Sequence, residues 1–308
     1  MWTRFLNKLF LAIAAIFLIS SQAAAETLRP FVMGDTPPGD LKQVADAVKL
    51  KVTAAGFEIV GSYSPFANAV VICVTNNDLK TTSANVPNGG FGAAQRISVT
   101  EVKGKIQVAY VNPAYLGTAY GMGKLESISS KLKTALGAVK VFGSENGIPE
   151  EKLGPGMYRY AMFMPYFKDV DVFQEHPDYK TAVEAVEKNL AAGVGGTKKV
   201  YRIDLPGKQI SVFGVAIPKG DGIDKGNKDT DKEIIDIVDY GELKNTAYLP
   251  YELMVDGNRV IALRARYRIA LNFPDTTMAG EHGFTKIMTA PWGIQLALEA
   301  VAGFKREQ

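Results

Sequence analysis

The sequence predicts an α+β protein made of two tandem two-layer α/β sandwich domains with largely antiparallel sheets, arranged as a pseudo-dimer. Three observations carry this. An order of helix, strands, hairpin and closing helix occurs twice along the chain. Each copy holds a glycine turn between apolar runs, which is a hairpin signal. A stretch rich in glycine and proline, residues 143–156, separates the copies. The composition agrees: 308 residues with 47% hydrophobic and 22% charged side chains suit about two globular domains and exclude collagen-like, coiled-coil and disordered chains.

Residues 1–25 read as a secretory signal. Arg4 and Lys8 precede an unbroken apolar run from Leu9 to Ile19, and Ala23-Ala24-Ala25 offers an Ala-x-Ala cleavage site. The run is shorter than the ~20 residues a bilayer span requires. The expected location is therefore the periplasm, with cleavage after Ala25 and no stable membrane anchor. Losing Arg4 and Lys8 lowers the formal charge from +3 to +1. A nearly neutral protein has no general attraction for nucleic acid.

The first domain is expected over 26–142. Leu41, Val44, Val48 and Val52 share one helical face, and Gly56 follows as a stop. Strands are expected at Phe57–Val60 and Ala69–Val74, the latter holding the single cysteine, Cys73, as a buried hydrophobe. A hairpin runs from Arg96 to Val102, turns at Lys103-Gly104, and returns along Ile106–Val111 into Asn112-Pro113. Leu125, Ile128, Leu132 and Leu136 mark the closing helix.

The second domain is expected over 157–308. Tyr179, Val183, Val186 and Leu190 repeat the helical spacing, and Ala191-Ala192-Gly193 matches Ala54-Ala55-Gly56. Strands follow at Lys199–Ile203 and Ile210–Ile217. An inserted loop is expected over 219–247. The hairpin then turns at Asp256-Gly257, with a long return strand from Val260 to Leu271 ending at Asn272-Phe273-Pro274. Ile294, Leu298 and Val301 mark a closing helix, with Pro291 at its start.

Ala55-Gly56-Phe57-Glu58-Ile59-Val60, the strand to Val74, and Gly104-Lys105-Ile106-Gln107-Val108-Ala109-Tyr110-Val111-Asn112-Pro113 together resemble the family called domain of unknown function 302. The resemblance covers Leu41–Leu136, and more weakly Tyr179–Val301. It implies small two-layer α/β domains that pair as dimers, with no settled activity. The family's segment resembling Gly-Asn-Pro before the hairpin is absent here, where the chain reads Thr75-Asn76-Asn77-Asp78.

Catalytic motifs are scarce. His176 and His282 lie far apart and in no metal-binding spacing. There is no Gly-x-Ser-x-Gly elbow. Gly193-Val194-Gly195-Gly196 follows a helix and precedes a strand, the reverse of a dinucleotide loop. Asp229, Asp231 and Glu233 alternate as in a calcium loop, but Ile234 and Tyr240 occupy positions that need Gly and Glu.

Three patterns remain. Arg264, Arg266 and Arg268 alternate with Ala265, Tyr267 and Ile269, which on a strand puts three guanidinium groups on one face. Such a face needs carboxylates, Glu252 across the hairpin among them, or a bound anion. Met162 and Met164 alternate similarly, and thioethers favour Cu(I), with His282 between Met278 and Met288 as a further ligand. Asp204, Glu252 and Tyr267 would form an acid–base set if the fold brought them together.

The leading expectation is an exported, non-enzymatic binding or accessory protein with no cofactor. It would take a small anionic or apolar ligand, or a protein partner, at the junction of the copies near Arg264, Arg266, Arg268, Tyr267 and Glu252. The alternatives are a periplasmic copper carrier using Met162, Met164 and His282, or an enzyme with a carboxylate and tyrosine site.

Overall fold

The computed structural model describes residues 26–219 and 230–305; the expected signal segment and most of the charged stretch after Lys219 lie outside them. Two large sheets organise the chain. The first contains β2 (Phe31–Met33), β3 (Glu58–Tyr63), β4 (Ala69–Thr75), β5 (Gln95–Val102), β6 (Lys105–Val111) and β7 (Lys140–Phe142), in the order β3-β4-β5-β6-β2-β7. The second contains β9 (Val170–Glu175), β10 (Lys198–Asp204), β11 (Ile210–Ala216), β12 (Tyr251–Asp256) and β13 (Arg259–Leu263), in the order β10-β11-β12-β13-β9. A small sheet pairs β1 (Thr27–Leu28) with β8 (Ile148–Pro149). Every pairing in the two large sheets is antiparallel. The α+β class with antiparallel sheets is as the sequence predicts.

Without β7, the two large sheets share one topology: a four-strand meander whose last strand is flanked by the strand that opens the copy. Each also has a register shift at the third residue of its outer strand, around Val60 in β3 and Val200 in β10. These bulges fix the correspondence. Cys73 matches Gly214, and along the ladders Arg96 matches Glu252.

The helices form where caps and apolar stripes agree. In α1 (Leu41–Ala54), Asp40 accepts from the Gln43 amide at 2.9 Å, and the Gln43 side chain accepts from the Asp40 amide. Val44, Val48 and Val52 face the sheet and are buried. In α5 (Tyr179–Ala191), Asp178 caps Thr181, and Val183, Val186 and Leu190 are buried. The closing helices, α4 (Glu126–Leu136) and α8 (Ala290–Ala302), pack beside α1 and α5 respectively. Among the described residues no helix is long and apolar enough to cross a membrane.

Each large sheet also receives a 3₁₀ turn from the other sheet's part of the chain. The 3₁₀ turn Gly89–Gly92 packs on β11 and β12, and the corresponding turn Thr246–Tyr248 packs on β4, β5 and β6. The fit at this seat is close: a Cβ on Gly90 would lie 2.5 Å from the Met254 sulfur, so a larger residue would have to displace that side chain. The outer strands β3 and β10 adjoin at their bulges, where a Cβ on Gly61 would lie 2.2 Å from the Val200 carbonyl oxygen.

Four expectations need correction. The return strand of the second hairpin ends at Leu263, and residues Ala265–Asn272 form a helix, α7. It corresponds to α3 (Pro113–Ala119), so the partner of Asn112-Pro113 is Arg264-Ala265, and not Asn272-Phe273-Pro274. Alternation over five residues does not separate a strand from a short helix buried on most sides. The segment 219–247 is not a bare insertion, because it holds α6 (Asp231–Val238), the counterpart of α2 (Asn77–Ala84). Thr230 and Glu233 make a capping box, and Asp231 accepts from the Ile217 amide at 3.2 Å and the Tyr63 hydroxyl at 3.3 Å, which removes both acids from a calcium set; Asp229 lies outside the described residues. The stretch 143–156 lies between the two copies and holds β8 and a 3₁₀ turn at Glu150–Lys152. Met162 and Met164 lie on an irregular segment, not a strand, with Phe163 in the left-handed region at φ +68°.

Candidate functional site

The arginines expected on one face separate. Arg264 follows β13 as the N-cap of α7, whereas Arg266 and Arg268 lie on α7, about 200° apart around the axis at 100° per residue. Arg268 points inward. Its Nε and Nη2 donate to the Glu252 carboxylate at 2.8 and 3.0 Å, and Nη2 also donates to the Tyr248 carbonyl and to the Pro250 carbonyl at 3.1 Å. Arg96 reaches the same carboxylate through Nη1, while its Nε donates to the Ala247 carbonyl at 3.0 Å. Burial opposes the charge on Arg268, but Glu252 overrides it and holds its pKa above the ordinary value.

This Arg96–Glu252–Arg268 cluster seals the junction between the copies. The three side chains are at most 2% exposed, and Tyr267 beside them is also buried. Glu252, Tyr267 and Arg268 therefore cannot meet a ligand from solvent, which corrects their assignment to a binding face. Asp204 does not join them either. It lies on β10 opposite Ser211, from which it accepts a hydrogen bond, on the sheet face away from Glu252. The proposed acid–base set does not assemble.

The other two arginines border open cavities. Arg266 and Ile269, one helical turn apart on α7, line a groove of about 310 Å³. Met162 and Met164 line it from the segment leading out of the inter-copy stretch. Met278, Phe284, Ile287 and Met288 close its other side. Tyr160 is fixed there by donating to the Thr276 carbonyl and by packing edge-to-face on Phe284, with ring centres 4.9 Å apart. Ile269 and Ile287 make a buried floor, while Met162, Met278 and Met288 are 70%, 59% and 71% exposed at the rim. Arg266 is the sole charged residue of the lining among the described residues.

Next to it is a polar basin, also about 310 Å³, which shares Arg266 and Pro291 with the groove and adds Arg264, Asp171 and Gln295. Arg264 donates to Asp171 at 3.1 Å. Burial nonetheless raises the Asp171 pKa above its ordinary value.

His282 is absent from the groove. Its Nδ1 lies 2.9 Å from the Ile237 carbonyl, and its ring stacks on Tyr240 at 4.2 Å. The methionine set is therefore Met162, Met164, Met278 and Met288, with His282 excluded. All four methionines stand out in the sequence, but only the packing of α7 between their two segments shows that they share a cavity. Cys73 is fully buried, and desolvation pushes its thiol up to about 12, so it is an inert core residue. No family model, curated protein or solved structure matches this chain. The resemblance to domain of unknown function 302 accordingly rests on the residues that carry it.

Proposed function

We propose that this chain is an exported, non-enzymatic binding or accessory protein that takes an apolar group into the methionine-lined groove. The lining carries the reading: a concave site of the size of small-ligand pockets whose described residues are mostly apolar, with Arg266 as their one charge. Methionine suits such a site because its flexible, polarisable side chain conforms to varied apolar shapes. The test is titration with the uncharged probe N-phenyl-1-naphthylamine. Wild-type protein should enhance its fluorescence saturably. The double variant Met162→Glu, Met288→Glu should lose this, and its folding is safe because both side chains are mostly exposed. Equal enhancement by both proteins would reject the site.

A second reading is favoured by the same four sulfurs. Thioethers are soft ligands that select Cu(I), so the groove would carry copper through Met162, Met164, Met278 and Met288. Competition with a chromogenic Cu(I) chelator under reducing conditions tests it. Failure to withdraw copper from the chelator would end this reading and leave the first intact.

A further inference from the structure

Resting on the groove reading, we propose that the ligand is a monomeric amphipathic anion. Its tail lies in the methionine groove, and its acidic head lies in the polar basin beyond, against Arg266.

Arg266 lines both cavities. Among the described residues no hydrogen bond or ion pair reaches its guanidinium, whereas Arg264 is held by Asp171 and Arg268 by Glu252. Among the described residues the groove contributes no carboxylate, and the basin sets two guanidinium groups against one carboxylate, Asp171. The surplus is one positive charge, placed where an apolar site meets a polar one. That arrangement suits a molecule with a hydrophobic end and an anionic end, because a guanidinium binds carboxylate or phosphate through paired donors. A neutral apolar ligand would use the groove and leave the arginine unpaired. A cationic head would meet Arg266 and Arg264 together. The site is a concavity of limited volume and not a flat apolar face, which favours one free chain over a membrane surface.

The experiment compares decanoate with decanol by calorimetric titration. Wild-type protein should bind decanoate about tenfold more tightly, the ratio expected of one charge-assisted contact. Arg266→Gln should abolish that preference and change decanol binding less than about twofold; Arg266→Lys should keep most of the preference. Arg264→Gln should have a smaller effect, because Arg264 already has a partner. A preference that survives in Arg266→Gln, or wild-type protein that binds both ligands equally, overturns the inference while the groove reading stands. Binding of neither ligand overturns both. Co-sedimentation with phosphatidylglycerol vesicles by protein that ignores decanoate would instead point to a membrane surface and overturn the monomeric ligand.

Discussion

The two copies share a topology but differ at matched positions where burial makes charge decisive. Arg96 on β5 corresponds to Glu252 on β12, and the two meet in one ion pair across the junction. Leu116 on α3 corresponds to Arg268 on α7, the second partner of Glu252. Two identical copies would set arginine against arginine or glutamate against glutamate here. The pair therefore requires two different sequences, and it favours this chain's copies joining each other over joining copies of themselves. A buried ion pair is a weak source of stability, because desolvation offsets its attraction, but breaking it is costly.

The most damaging way to break the comparison is Glu252→Gln. It leaves two buried guanidinium groups without a counter-charge and should cost about 3–5 kcal/mol in denaturant unfolding. The exchange Arg96→Glu with Glu252→Arg should not restore stability, because Arg268 would then face a second guanidinium. Adding Arg268→Leu, which copies the residue at the matched position of the first copy, should recover part of the loss. A cost under about 0.5 kcal/mol for Glu252→Gln, the range of ordinary surface changes, would show that the junction does not depend on this charge.

The helices α2 and α6 give the second contrast. At the first residue and the C-cap, α2 has exposed Asn77 and Asn85, while α6 has buried Asp231 and Asp239. Burial pushes both carboxyls up to about 7. The unfolded chain ionises them near 3.8, so between that value and about 7 the folded protein holds protons the unfolded chain has lost. Stability from these groups is thus full below about pH 4 and is lost as pH rises from there through about 7, by on the order of 4 kcal/mol per group. The variant Asp231→Asn, Asp239→Asn gives the second copy the residues of the first and should flatten this part of the profile. Denaturation midpoints from pH 4 to pH 8 test it, and an unchanged slope would place the pH response elsewhere.

Much of this was legible in the sequence. The paired helices, the matching Ala-Ala-Gly stops and the two hairpins were visible because helical spacing and glycine turns are local signals. The α7 helix was not, since Arg264 to Ile269 alternate as a strand would and only burial on most sides of the segment decides otherwise. The α6 helix was hidden by its charged approach, although Thr230 and Glu233 offered a capping box. For the groove, Met162, Met164 and Arg266 were singled out for separate reasons. Their meeting depends on contacts across more than 100 positions, to which no spacing rule applies.

The smallest expected effect isolates one hydroxyl. Tyr115 and Tyr267 are each the third residue of their helix, α3 and α7, and both are buried. Tyr115 crosses the junction and donates to the Leu271 carbonyl at 2.7 Å. The Tyr267 hydroxyl has no protein partner among the described residues. Tyr115→Phe removes a hydrogen bond and leaves a buried carbonyl with one fewer donor, so it should cost about 1–2 kcal/mol. Tyr267→Phe keeps the ring packed on Tyr158 and Phe167 and removes a hydroxyl that no described residue satisfies, so it should change stability by no more than about 0.5 kcal/mol. Urea unfolding of both variants beside the wild type makes the comparison. Equal losses would mean that the shared helix position, and not the bond across the junction, sets the cost; unequal losses would place that cost in the link between the copies.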